Sequence, residues 1–160
     1  VEKHRQARGT SWQTIEEPLD LGAAIRGAAA YRCVLVDCLT LWSNNLFFAA
    51  EKRGESFTEE QMADRCREVT AACEAHPGIV IFVTNELGMG IVPADEATRR
   101  FRDCAGRCNQ LFAAAADTVT LVVSGIPLAL KEPAVSPGRE RGQSSRRSRR
   151  RADPGQVEEK

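Results

Sequence analysis

The sequence predicts an α/β fold, a mostly parallel sheet flanked by helices. Two observations carry the expectation. Short apolar runs recur at Cys33–Val36, Ile79–Val83 and Thr118–Val123, each ending in polar residues. Between them lie stretches whose apolar residues return with helical period. The three runs are apolar on both faces, as suits central strands covered by helices. Strands alternating with helices point to a parallel sheet.

Taken in order, Trp12–Ile15 reads as a further strand, ending at Glu16. Leu19–Ala30 is Ala-rich and reads as a helix. The strand at Cys33–Val36 ends in Asp37. Leu39–Ala50 is apolar at 39, 42, 46 and 49, a helical spacing. Thr58-Glu59-Glu60-Gln61 has the form of a capping box, with Thr58 as N-cap and Gln61 at the third helical position. That helix is expected to run to about Ala75 and stop at His76-Pro77-Gly78. The strand Ile79–Val83 ends in Thr84-Asn85-Glu86. Ala94–Ala116 is a long helix with Phe101, Ala105, Cys108 and Phe112 on one side. The last strand ends in Ser124-Gly125.

The chain has 160 residues, 42% hydrophobic and 28% charged, an ordinary soluble composition with room for one domain. Residues 1–131 read as that domain. Residues 132–160 hold almost nothing that could join a core and read as a disordered basic tail. The tail carries seven Arg and one Lys against five acids, while the whole chain has formal net charge zero. Such a tail is more often a solvated extension than a nucleic-acid site, so no nucleic-acid partner is expected. No apolar run approaches the roughly 20 residues that span a bilayer, so no membrane partner is expected either. Six cysteines, none in a CxxC pair, read as free thiols of a reducing cytoplasm.

In an open parallel sheet, ligands bind beyond the carboxyl ends of the strands. Those ends carry Glu16, Asp37, Thr84-Asn85-Glu86 and Ser124-Gly125. An acid directly after an apolar strand, as in VLVDC, is the Walker B arrangement, which holds Mg²⁺ directly or through water beside a nucleotide phosphate. Asp37 has a second reading, as the cap of the helix starting near Leu39. TNELGMGIVP delivers three polar side chains and then two glycines that allow close ligand approach. A plain strand-to-helix loop is the other reading. His4 is either a solvated histidine or a nucleophile, since a neutral imidazole attacks phosphorus and Arg5 and Arg8 flank it. His76, at a helix end, suits the dipole and takes no catalytic role. A Walker B acid predicts a P-loop, GxxxxGK[ST], yet none of Lys3, Lys52, Lys131 and Lys160 follows a glycine.

EKHRQARGTSWQTIEEP, VLVDCLTLWSNNL, VTNELGMGIVP, FRDCAGRCNQ and AAADTVTLVVSGIPLALK together resemble the bifunctional adenosylcobinamide kinase / adenosylcobinamide-phosphate guanylyltransferases of cobalamin biosynthesis. They stand in the family's order and cover nearly all of residues 1–131. The resemblance implies a P-loop NTPase-like (RecA-like) fold, a homotrimer and a cytoplasmic enzyme. It implies that ATP or GTP phosphorylates adenosylcobinamide, and that GMP from GTP passes through an enzyme histidine to adenosylcobinamide phosphate. His4 matches that histidine. Arg5, Gln6, Ala7 and Arg8 match the nucleotide-contacting segment after it, and Glu16 a nucleotide-contacting glutamate. Asp37 matches the Walker B acid, the expected Mg²⁺ position. Asn85 and Glu86 are expected to line the site. The family's strand, P-loop and helix precede the histidine and are missing here, so the chain alone is expected to be impaired. The alternative is a non-catalytic nucleotide- or corrinoid-binding remnant.

Overall fold

The computed structural model describes residues 12–133. Residues 12–17 form no regular element, which corrects the strand expected at Trp12–Ile15. A β-branched pattern alone does not make a strand. The ladder needs a neighbour, and here Trp12 and Ile15 stay about half exposed. The chain is instead pinned by its polar groups. Glu17 Oε1 accepts the amides of Leu19 (2.9 Å) and Asp20 (2.8 Å), and these bonds hold its carboxyl below the usual range. Asp20 then caps helix α1 (Leu21–Gly27) by accepting the Ala23 amide at 2.8 Å. The helix stops short of the expected Ala30 because the chain turns after Gly27, with the Ala28 amide bonded to the Ile25 carbonyl.

Strand β1 (Cys33–Asp37) and strand β2 (Ile79–Val83) pair in parallel, from Cys33 opposite Ile79 to Asp37 opposite Val83. Helices α2 (Leu39–Lys52) and α3 (Glu59–Glu74) connect them. The capping box at α3 forms as expected. Thr58 Oγ1 accepts the Gln61 amide (3.2 Å), and Gln61 Oε1 accepts the Thr58 amide (2.9 Å). The cap of α2 differs. It is Cys38 whose sulfur accepts the Leu41 amide at 3.4 Å, so Asp37 is not the cap, and its carboxylate stays at the strand end.

Beyond α3, His76 is buried. Its Nδ1 accepts the Gly78 amide (3.0 Å), so the ring proton is on Nε2, which donates to the Ala28 carbonyl (3.1 Å). The ring is thus a neutral bridge that locks the approach to β2, not the helix-dipole partner suggested by its position. Gly78 is required here because a Cβ would lie 2.4 Å from the Arg32 carbonyl oxygen where β2 comes alongside β1.

One face of the β1–β2 pair carries Val34, Val36, Val80 and Phe82, packed against the helices. The core they join includes Leu39, Met62, Cys66, Cys104 and Cys108, all 2% exposed or less. Helix α4 (Glu96–Ala115) closes it, with the Phe112 ring 4.6 Å from Phe82 and 6.3 Å from Trp42, centroid to centroid. All six cysteines are free thiols. Within this core a hydrogen bond to Cys108 and burial push the Cys66 thiol up, so it stays protonated.

The third apolar run departs from expectation. β3 (Val119–Val123) does not join the parallel sheet. It pairs antiparallel with β4 (Ile126–Lys131), an element the sequence reading lacked. The cause is local. Ser124 and Gly125 both take positive φ, 52° and 78°, which is the two-residue turn that matches strand twist and sends the chain straight back. Ser124-Gly125 is therefore a hairpin turn rather than a ligand loop. Lys131 fastens the hairpin to α4, its Nζ donating to the carbonyls of Ala113 (3.1 Å) and Ala114 (2.8 Å).

Candidate active site at the carboxyl ends of β1 and β2

The polar residues that follow β1 and β2 meet in one hydrogen-bonded cluster. Thr40, on the first turn of α2, places its hydroxyl against the segment after β2. Its Oγ1 accepts both the Asn85 amide N–H and the Asn85 side-chain Nδ2–H, each at 3.1 Å. The hydroxyl proton of Thr40 is left for Thr84 Oγ1, 3.5 Å away. Thr84 donates in turn to Asn109 Oδ1 at 2.7 Å. Asn109 Nδ2 then donates to the Asn85 carbonyl (3.1 Å) and to Glu86 Oε1 (2.9 Å). The run of hydrogen bonds ends on a carboxylate, the strongest acceptor available.

Three elements build the cluster because parallel pairing puts both strand ends on one edge. Asp37 is the register partner of Val83, one residue before Thr84. Its carboxylate is exposed at the end of β1, and the peptide from Asp37 to Cys38 is cis. After Glu86 the chain makes one 3₁₀ turn, Leu87–Met89, and then opens. Among the described residues, nothing lies within 4 Å of where a Cβ would stand at Gly88.

Of the expected site residues, Asn85 and Glu86 are brought together, with Asp37 at the same sheet edge. Glu16 is exposed in the irregular segment before α1. That segment is anchored nearby. The Pro18 carbonyl accepts from Asn45 (3.3 Å), and the Leu19 carbonyl accepts from Trp42 Nε1 (2.9 Å) and Arg65 (3.2 Å). His4, Arg5, Gln6, Ala7 and Arg8 lie outside the described residues, as does the tail beyond Pro133.

Thr40 and Asn109 were missed as site residues. Their signals were present in the sequence, in LVDCLT and in FRDCAGRCNQ. Neither stretch states that a residue on a distant helix will reach a strand end, which is a property of the packing.

A hollow of about 470 Å³ lined by Ala30, Tyr31, Arg32, Pro77, Gly78 and Ile79 lies at the opposite, amino-terminal edge of β1 and β2. Ligands of open parallel sheets sit at the carboxyl edge, so the polar cluster is the better candidate. Among the described residues, no group of three or more His, Cys, Asp or Glu side chains converges to hold a metal ion, and no helix is long and apolar enough to cross a membrane.

The profile of a family described as cobinamide kinase / cobinamide phosphate guanyltransferase matches residues 1–130. The chain is 42% identical over 133 residues to the bifunctional adenosylcobalamin biosynthesis protein CobP of Pseudomonas aeruginosa, an alignment that covers 82% of this chain and 72% of that one. It is 40% identical over 138 residues to the bifunctional adenosylcobalamin biosynthesis protein CobU of Salmonella typhimurium, covering 82% and 76%. The protein of that name from Escherichia coli matches to the same extent.

Proposed function

The chain belongs to the cobinamide kinase / cobinamide phosphate guanyltransferase family, and from that premise we propose that it carries out two steps of cobalamin biosynthesis. In one, a nucleoside triphosphate, ATP or GTP, phosphorylates the hydroxyl of adenosylcobinamide. In the other, GTP guanylylates His4 with loss of pyrophosphate, and the GMP passes to adenosylcobinamide phosphate. The product is adenosylcobinamide-GDP. The observation that carries the reading is the meeting of Asp37 and Thr84-Asn85-Glu86 at one sheet edge, the position where such folds bind phosphates.

The roles follow from the chemistry of each group. An imidazole nitrogen at His4 attacks the α-phosphorus, forming N–P as the bond to the pyrophosphate oxygen breaks. The acceptor phosphate oxygen then displaces the imidazole. One difficult transfer becomes two in-line displacements. Arg5 and Arg8 offset phosphate charge, Gln6 and Ala7 continue the contact segment, and Glu16 accepts from guanine or ribose. Asp37 is the residue to hold Mg²⁺. A single exposed carboxylate with hydroxyl oxygens close in the chain suits that ion, which takes one or two carboxylates and completes its shell with phosphates and water. Mg²⁺, when bound, offsets charge on the triphosphate.

The P-loop NTPase-like fold, the homotrimer and the cytoplasmic location belong to this same reading. The kinase step asks for a phosphate-binding lysine, and the 160-residue sequence contains no GxxxxGK[ST]. We therefore expect the chain alone to be impaired in phosphorylating adenosylcobinamide, and measurable turnover by it would refute this. The second reading is a nucleotide- or corrinoid-binding protein without catalysis.

The two readings separate on incubation with GTP labelled at the α-phosphate. The catalytic reading expects label on the protein that is acid-labile, alkali-stable and abolished in His4→Asn. Label that persists in the variant removes His4 from its role.

A further inference from the structure

We propose that Asn109 is a positioning residue for the carboxyl end of β2, and that it turns the Glu86 carboxylate toward a hydroxyl or amino donor of the bound ligand. The proposal rests on the reading above that ligands bind at this edge.

The amide of Asn109 is used at both ends. Oδ1 accepts from the Thr84 hydroxyl at 2.7 Å, while Nδ2 donates to the Asn85 carbonyl at 3.1 Å and to Glu86 Oε1 at 2.9 Å. The direction is settled by the partners. A carbonyl and a carboxylate can only accept, so the nitrogen must face them and the oxygen must face Thr84. One side chain on α4 therefore grips three consecutive residues after β2. Thr40 grips the same segment from α2 through the Asn85 amide and side chain. Few buried apolar contacts are available to order this stretch, since Thr84, Asn85 and Glu86 are all exposed.

The consequence falls on Glu86. An exposed glutamate samples many rotamers, and restricting it costs side-chain entropy. A charge-assisted bond to Oε1 restrains it before a ligand arrives. Among the described residues Oε2 accepts no hydrogen bond, so that oxygen is the one offered to a donor. The amide at position 109 accepts from Thr84 and donates to Glu86 together. Aspartate has the shape but no donor, and would set a second carboxylate against Glu86.

The test is calorimetric titration of the full chain, in two arms, with GTP plus Mg²⁺ and with adenosylcobinamide. The proteins are the parent, Asn109→Ala, Asn109→Asp, Glu86→Ala and the double Asn109→Ala/Glu86→Ala variant. Thermal melting serves as the folding control. Asn109→Asp should weaken one ligand by about tenfold, the size of one lost hydrogen bond to a charged group. The arm affected identifies whether nucleotide or corrinoid supplies the donor. Asn109→Ala should weaken the same ligand by less, and have no further effect once Glu86 is Ala. Binding of both ligands within twofold of the parent in both single Asn109 variants overturns the proposal. So does an undiminished effect of Asn109→Ala without Glu86, which decides the matter even if Asn109→Asp does not fold. A parent that binds neither ligand overturns the functional reading, and the proposal with it.

Discussion

The two faces of the β1–β2 pair are alike in sequence and unlike in structure. Val34, Val36, Val80 and Phe82 point toward the helices and join the core. Leu35, Ile79, Ile81 and Val83 point the other way, and are 39%, 65%, 45% and 42% exposed. Both sets are apolar, and both follow from one alternation of side chains along a strand. The helices α2, α3 and α4 supply apolar partners to one face only. An apolar residue stabilises in proportion to the area it removes from water, so equal composition yields unequal contribution.

The strongest way to break this comparison is Phe112→Ala. The ring touches Phe82 on the strand side and Trp42 on the helix side, and is 7% exposed. Its loss should cost about 3–5 kcal/mol in chemical denaturation. A loss under about 1 kcal/mol would mean that the packed face contributes no more than the bare one.

A smaller effect lies at the start of α4, the helix that closes the packed face. The Asp95 carboxyl is held below its ordinary value by the Thr98 hydroxyl, and next by the Thr98 amide, each donating to Oδ2 at 2.7 Å. A depressed folded value means that the stabilisation is present above the ordinary value of 3.8 and is lost as pH falls through the lower folded value. Melting of the parent and of Asp95→Asn, followed from pH 6 downward, should show a gap that closes in that acid window. A gap that stays constant to the lowest pH would remove the charged cap from the account.

The smallest change is expected on the bare face. Ile81→Thr keeps a β-branched strand residue and gives up little buried area, so it should shift stability by no more than about 0.5 kcal/mol. A much larger loss would show that this face is covered in solution and would erase the contrast.

Some of the molecule was legible before any coordinates. Thr58 and Gln61 announced a helix start because a capping box is closed within four residues and needs nothing from elsewhere. His76-Pro77-Gly78 announced its end for the same reason. The strands at Cys33 and Ile79 were legible because continuous apolar runs between polar ends have few other uses. Trp12–Ile15 and Thr118–Val123 misled, since the same kind of run says nothing about its neighbour. In the second case the deciding detail was short and readable in principle. Ser124-Gly125 is a two-residue hairpin turn, and it outweighed the expectation of another parallel strand.

The site divides in the same way. The sequence by itself determined which chemical groups stand at the strand ends, because Asp37, Thr84, Asn85 and Glu86 directly follow apolar runs. It also carried the family, through motifs whose order and wording are specific. Only the tertiary structure decided that Thr40 and Asn109 complete the cluster. Asn109 is 23 residues from Glu86 along the chain, and a 2.9 Å bond between them exists only because α4 packs across the sheet. Helix packing is governed by the shape of many side chains at once, so no short stretch of sequence encodes it. Local hydrogen bonding writes itself into motifs, and the meeting of distant side chains does not.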